Sequence, residues 1–293
     1  MTDAIRTPDV LLEGLPGFGW TPSFRSWDGL RLAHVDHGEG TPVVMLHGEP
    51  TWSYLWRKVA APVVDSGRRV ILPDLPGFGR SDKPMDERWY SYDRHTAAIA
   101  DLLEHLDVRD ATFVLHDWGG PIGLRVAVAH PERVSRLVLM DTGLFTGEQR
   151  MSAAWHRFAD FVDRVDELPV GFIVRRGCAT DPGDEVAAAY DAPFPSEASK
   201  AGARAFPRLV PLAPDDPGAT VGRDVLAALR SDSRDVLLLW GAEDRPLPLS
   251  AGERFASEIG RPAPRPIDGA GHFLQEDRGP EIGAIIADWL SSH

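Results

Sequence analysis

The chain has 293 residues, 43% of them hydrophobic, a net charge of −13 and a single cysteine. That length allows one large α/β domain, or a core with an inserted subdomain. The acidity disfavours nucleic acid and anionic membrane surfaces as partners, and one cysteine, Cys178, excludes an intrachain disulfide. No apolar run approaches the length of a membrane span. The stretch from Met1 to Pro8 lacks a signal-peptide layout, so a cytoplasmic protein is expected; a monomer is the expected state.

In chain order, a strand-like segment Ser23–Trp27 meets a second, Arg31–Asp36, across Asp28-Gly29, a strong hairpin signal. Short apolar blocks follow at Val43–Leu46, Val70–Leu72, Thr112–Leu115, Leu137–Met140 and Val236–Trp240, with a weaker one near Pro264–Ile267. Near-continuous apolar runs suit strands buried on both faces of a parallel sheet. Between them lie helical patterns at Tyr92–Leu106, Pro121–Ala129 and Glu281–Leu290. Strand–helix alternation predicts a doubly wound α/β sheet.

The alternation breaks after Asp141. The next 70 or so residues hold amphipathic pieces such as Ala154–Val165 and a Pro-rich stretch from Ala192 to Pro217. That is too long for a structureless loop in a compact domain. A helical cap over 142–212 is expected, inserted into a core of 1–141 and 213–293.

The strand Thr112–Leu115 runs through His116 into Asp117-Trp118-Gly119-Gly120. Strand, sharp turn, then helix is the setting of a nucleophile elbow. Here it presents a carboxylate. A carboxylate nucleophile displaces a leaving group from saturated carbon and leaves an alkyl ester. That points away from peptidases and esterases, toward carbon–halogen bonds or epoxides. Trp118 tilts the choice toward halogen.

Hydrolysing the ester needs a base, an acid to orient it, and donors for the oxyanion. The base candidate is His272, in Asp268-Gly-Ala-Gly-His272-Phe after the last strand block. His34, His37, His95, His105, His130 and His293 read as surface or loop residues, and His47 as structural. His116 is expected to point away from the site. Asp244, after Val236–Trp240, is the preferred acid. Asp141, after Leu137–Met140, is the alternative. Backbone amides of Glu49, in His47-Gly48-Glu49-Pro50, and of Trp118 are the expected oxyanion donors. A departing halide suits an indole N–H, which donates and has no acceptor role. Trp118 and Trp155, the cap's one tryptophan, are the candidates. No Cys/His cluster or phosphate-binding glycine loop is present, so no metal or organic cofactor is expected.

Several stretches together resemble the haloalkane dehalogenases of the α/β-hydrolase superfamily. They include His47–Arg57, Pro73–Pro84, Asp117–Gly120, Tyr190–Pro195, Ala205–Pro211 and Gly271–Glu276. The subfamily with the His-Gly-Glu-Pro loop is the nearest likeness, from about Arg6 to the C-terminus. The resemblance implies a mostly parallel eight-stranded sheet flanked by helices, with an inserted cap. It implies hydrolysis of a halogenated alkane by water to alcohol, halide and a proton. The family usually has Asn where this chain has Asp141. An epoxide hydrolase would use the same Asp117 and His272 but normally needs two cap tyrosines, and only Tyr190 lies in the expected cap.

Overall fold

The computed structural model describes residues 2–293. Its main sheet has eight strands: β1 (Pro22–Trp27), β2 (Leu30–His37), β3 (Pro42–Leu46), β4 (Arg69–Pro73), β5 (Ala111–His116), β6 (Val134–Met140), β7 (Asp235–Gly241) and β8 (Arg265–Ile267). Their order across the sheet is β8-β7-β6-β5-β3-β4-β2-β1. The hairpin β1–β2 and the pair β2–β4 are antiparallel, and all other pairs are parallel. Asp28 and Gly29 both take positive φ, 49° and 79°, which is the backbone a two-residue hairpin turn demands. The apolar blocks become strands because the sheet is covered on both faces. All six residues of β5 are buried, and each fully buried Val, Leu or Phe there adds about 1.5–3 kcal/mol.

Six helices belong to the segments around the sheet: α1 (Arg57–Asp65), α2 (Tyr92–His105), α3 (Gly119–Ala129), α8 (Ala219–Arg230), α9 (Leu249–Glu258) and α10 (Leu274–Ser292). Four more lie between β6 and α8: α4 (Ala153–Arg164), α5 (Val170–Gly177), α6 (Asp184–Asp191) and α7 (Ala201–Ala205). Helix α2 starts where Ser91 accepts a hydrogen bond from the Arg94 amide. It buries Ile99, Leu102 and Leu103 as one stripe. Helix α10 begins seven residues before the predicted Glu281, and it is broken at Arg278 (φ −134°), just ahead of Pro280.

One buried ion pair joins distant parts of the chain. Glu276, on α10, takes both guanidinium nitrogens of Arg57, at the start of α1. Tyr190, on α6, donates its hydroxyl to the same carboxylate at 2.6 Å. Burial alone would raise the Glu276 pKa, but Arg57 and the Tyr190 hydroxyl hold it below the usual range.

Candidate active site

Asp117 stands where β5 ends and α3 begins, with φ at +49°. A non-glycine residue in that region is strained and needs a surrounding that over-determines it. Here the Asp117 carbonyl accepts from the Gly120 amide at 2.9 Å and from the Thr142 hydroxyl at 2.6 Å. The turn lifts the carboxylate off the sheet toward the loop after β3. The Glu49 amide donates to Asp117 Oδ1 at 2.9 Å, and the Trp118 amide also hydrogen-bonds that carboxylate. Gly48 makes the approach feasible, since a Cβ there would lie 2.1 Å from Asp117 Oδ1.

His272 faces the other carboxylate oxygen. Its Nε2 is 3.5 Å from Asp117 Oδ2, and its Nδ1 is 2.7 Å from Asp244 Oδ2. The second Asp244 oxygen accepts from the Leu247 amide at 2.8 Å, so the acid is held at both ends. Burial pushes the imidazole toward its neutral form, but Asp244 and Asp117 outweigh it and raise the pKa well above the usual range. Burial likewise opposes ionisation of Asp117, and His272 reverses it, leaving that carboxyl below its usual value.

Asp141 is fully buried at the end of β6, and both its oxygens accept from the Gly241 amide, at 3.0 and 3.1 Å. Burial first, and then Asp244, push its pKa well above the carboxylate range. Asp141 thus sits beside the Asp244–His272 pair with its carboxyl biased toward the protonated form.

Asp117, Trp118, His272, Glu49 and Trp155 line one cavity of about 400 Å³, walled by Phe145, Phe158, Phe161 and Phe172. Trp118 packs between the rings of Tyr92, Phe145 and Phe206 at 5.3, 5.1 and 4.9 Å. Ser152 sets Trp155: its hydroxyl accepts from the Trp155 amide at 3.0 Å and donates to the Pro246 carbonyl at 2.8 Å. The start of α4 is thus tied to the loop that carries Asp244.

Sequence reasoning used only the amide of Glu49 and missed its side chain. Oε1 is buried with no hydrogen-bond partner among the described residues, and burial followed by Asp117 pushes the carboxyl well above its usual range. The adjacent Pro gives no sign of that burial in the sequence. Two histidines also need correction. His34 and His95, expected at the surface, are 3% and 0% exposed, because β2 and α2 face the core at those positions. His47 accepts from the Leu75 amide through Nε2 and contacts the Gly48 carbonyl through Nδ1. His116 packs beside the His272 ring rather than into the cavity, with Nε2 2.8 Å from the His272 carbonyl. Cys178 is half-buried and burial raises its thiol pKa, which suits an inert small hydrophobe.

A family profile described as alpha/beta hydrolase fold matches residues 41–172. A haloalkane dehalogenase of Mycolicibacterium paratuberculosis is 41% identical over 97% of this chain and 97% of its own length. One from Mycobacterium marinum is 40% identical over 98% of this chain and 99% of its own. The solved structure of a haloalkane dehalogenase from Paraglaciecola agarilytica, described as tetrameric, superposes with a TM-score of 0.91 at 34% identity, covering 99% of both chains. Sharing that much sequence along nearly its whole length with such enzymes, and folding as they do, the chain belongs to the haloalkane dehalogenase family.

Proposed function

We propose that Asp117 is the nucleophile with which this enzyme hydrolyses carbon–halogen bonds, and that 142–212 caps a core of 1–141 and 213–293. The supporting observation is the Asp117 carboxylate itself, with the Glu49 amide on one oxygen and His272 Nε2 3.5 Å from the other. A carboxylate kept ionised in a largely apolar cavity is a poorly solvated, reactive anion. Attack forms the carbon–oxygen bond as the carbon–halogen bond breaks. The halide leaves with the bonding pair, toward the indole N–H groups of Trp118 and Trp155.

Esterification removes the charge of Asp117. That carboxylate is one of the two that keep His272 protonated. Its loss lowers the imidazole pKa and lets the ring release its proton to solvent. Neutral His272, oriented by Asp244, then takes a proton from water, which attacks the ester carbonyl. The Glu49 and Trp118 amides hold the oxyanion. Alcohol, halide and one proton result, and Asp117 is regenerated.

The epoxide alternative loses its acid. Tyr190 is buried and donates its hydroxyl to Glu276, outside the cavity lining. A monomer remains part of the proposal, supported by self-repulsion at a net charge of −13; native mass tests it. The experiment for the whole reading is bromide release from 1,2-dibromoethane and 1-bromobutane, with proton production in weak buffer. Release by the parent and none by Asp117→Ala is the expected result. Release undiminished in Asp117→Ala would remove the nucleophile from this position.

A further inference from the structure

The chain is strongly acidic, yet two arginines stand in the lining of its cavity. Arg157 and Arg176 line the cavity and are both exposed. Their neighbours in the same helices and around the cap are paired. Arg164 meets Asp160, Arg175 meets Asp181 and Asp184, Arg204 meets Glu197, and Arg208 meets Asp163 and Glu87. Among the described residues, no carboxylate lies within ion-pair distance of Arg157 or Arg176. Among the described residues, the only carboxylates lining the cavity are Asp117 and Glu49, at the catalytic end. Two large apolar side chains stand in the same lining, with Phe161 37% and Phe172 54% exposed.

A neutral haloalkane gains nothing from unpaired guanidinium groups. An amphiphile gains from both features. Its alkyl chain displaces water from the phenylalanine walls, and its anionic end finds planar donors that match a carboxylate in pairs. The arginines sit at the opening and Asp117 at the buried end, so the anion and the halogen must be at opposite ends of the chain. We infer that the preferred substrates are ω-halogenated alkanoates, held by Arg157 and Arg176 through a terminal carboxylate while the distal carbon–halogen bond reaches Asp117. The chemistry at that bond is unchanged and the product is the ω-hydroxy acid. A 2-halo acid does not meet this geometry, because its carboxylate would lie beside Asp117. The inference rests on the nucleophile assignment above.

The test compares kcat/KM for 6-bromohexanoate, its methyl ester and 1-bromohexane, in the parent, Arg157→Gln, Arg176→Gln and the double variant. The parent should favour the carboxylate over its ester. In the double variant the carboxylate-to-ester ratio should fall about tenfold, mainly through KM, consistent with loss of partly exposed charge pairing. High salt should compress the same ratio in the parent. Equal turnover of acid and ester by the parent would overturn the inference. So would a double variant whose only change is weaker inhibition by bromide, since the arginines would then serve halide exit. Turnover of the neutral pair alone overturns only the carboxylate assignment, whereas bromide from none of the three would overturn the nucleophile as well.

Discussion

Asp117 and His272 lie 3.5 Å apart, and each favours the charged form of the other. On the proposed route this favours alkylation first, with hydrolysis following once the ester forms. Replacing His272 by Ala should allow the first half-reaction and stop the second. Turnover should fall by at least about 10³-fold, the upper range for losing a general base. Intact-protein mass after exposure to 1-bromobutane should show one added butyl group. Substrate binding without that adduct would count against the covalent route.

The two aspartates near His272 should respond unequally. Asp244 accepts directly from the imidazole, and its replacement by Asn would favour the wrong tautomer. A loss of about 10⁴ in kcat is expected, as for an orienting carboxylate in other triads. Burial and Asp244 bias the Asp141 carboxyl toward its neutral form, and Asn is a neutral side chain of nearly the same shape. Asp141→Asn should therefore keep kcat within about tenfold. Steady-state kinetics of the two variants decide it, and the reverse ranking would transfer the acid role to Asp141.

The pre-steady-state pH profile should separate the two steps. Alkylation requires ionised Asp117, whose pKa is depressed, so it should stay level as the pH is lowered through the neutral range. Ester hydrolysis requires neutral His272, so its rate should rise with pH until the imidazole in the alkyl-enzyme is deprotonated. Rapid quench at several pH values measures both. An alkylation rate that falls with the same acid limb as hydrolysis would contradict the charge coupling.

Acid stability should depend on a histidine remote from the chemistry. His95 is fully buried between Tyr90 and Phe206, neither ring nitrogen has a partner among the described residues, and burial lowers its pKa to about 3. The folded protein cannot take up the proton that the unfolded chain binds below about pH 6.5. This contribution to stability is complete above that pH and is lost as the pH falls toward 3. At pH 5 the loss is about 2 kcal/mol. His95→Phe should flatten the fall in urea-unfolding free energy between pH 7 and 5 by about that amount. An unchanged slope would show that His95 does not drive it.

Much of this was legible because apolar blocks and turn residues report directly on a buried parallel sheet. The β-strands, the Asp28-Gly29 hairpin and the elbow at Asp117 coincide with their sequence signals. Helices α1, α8 and α9 carry no clear signal in the sequence, since short amphipathic pieces beside Pro and Gly look like loops. Burial of polar groups was also hidden. His34, His95 and the Glu49 side chain are polar groups buried by the elements that pack over them. Pairing was invisible too, because whether Arg157 or Arg208 finds a carboxylate depends on which elements meet.

The fastening of Tyr190 to Glu276 bears on how substrate gets in. Swinging α6 away from the sheet would break that hydrogen bond and the one from the Trp52 indole to the Ala189 carbonyl. A bond to a buried carboxylate is worth about 1.5–3 kcal/mol, and the Arg57 pair beneath it would be opened to solvent. Rotation of Phe161 and Phe172 costs far less and occurs in nanoseconds, against microseconds or longer for a hinge. Phe161 and Phe172, exposed in the cavity lining, are therefore the positions to reshape when the aim is to alter the cavity without loosening α6.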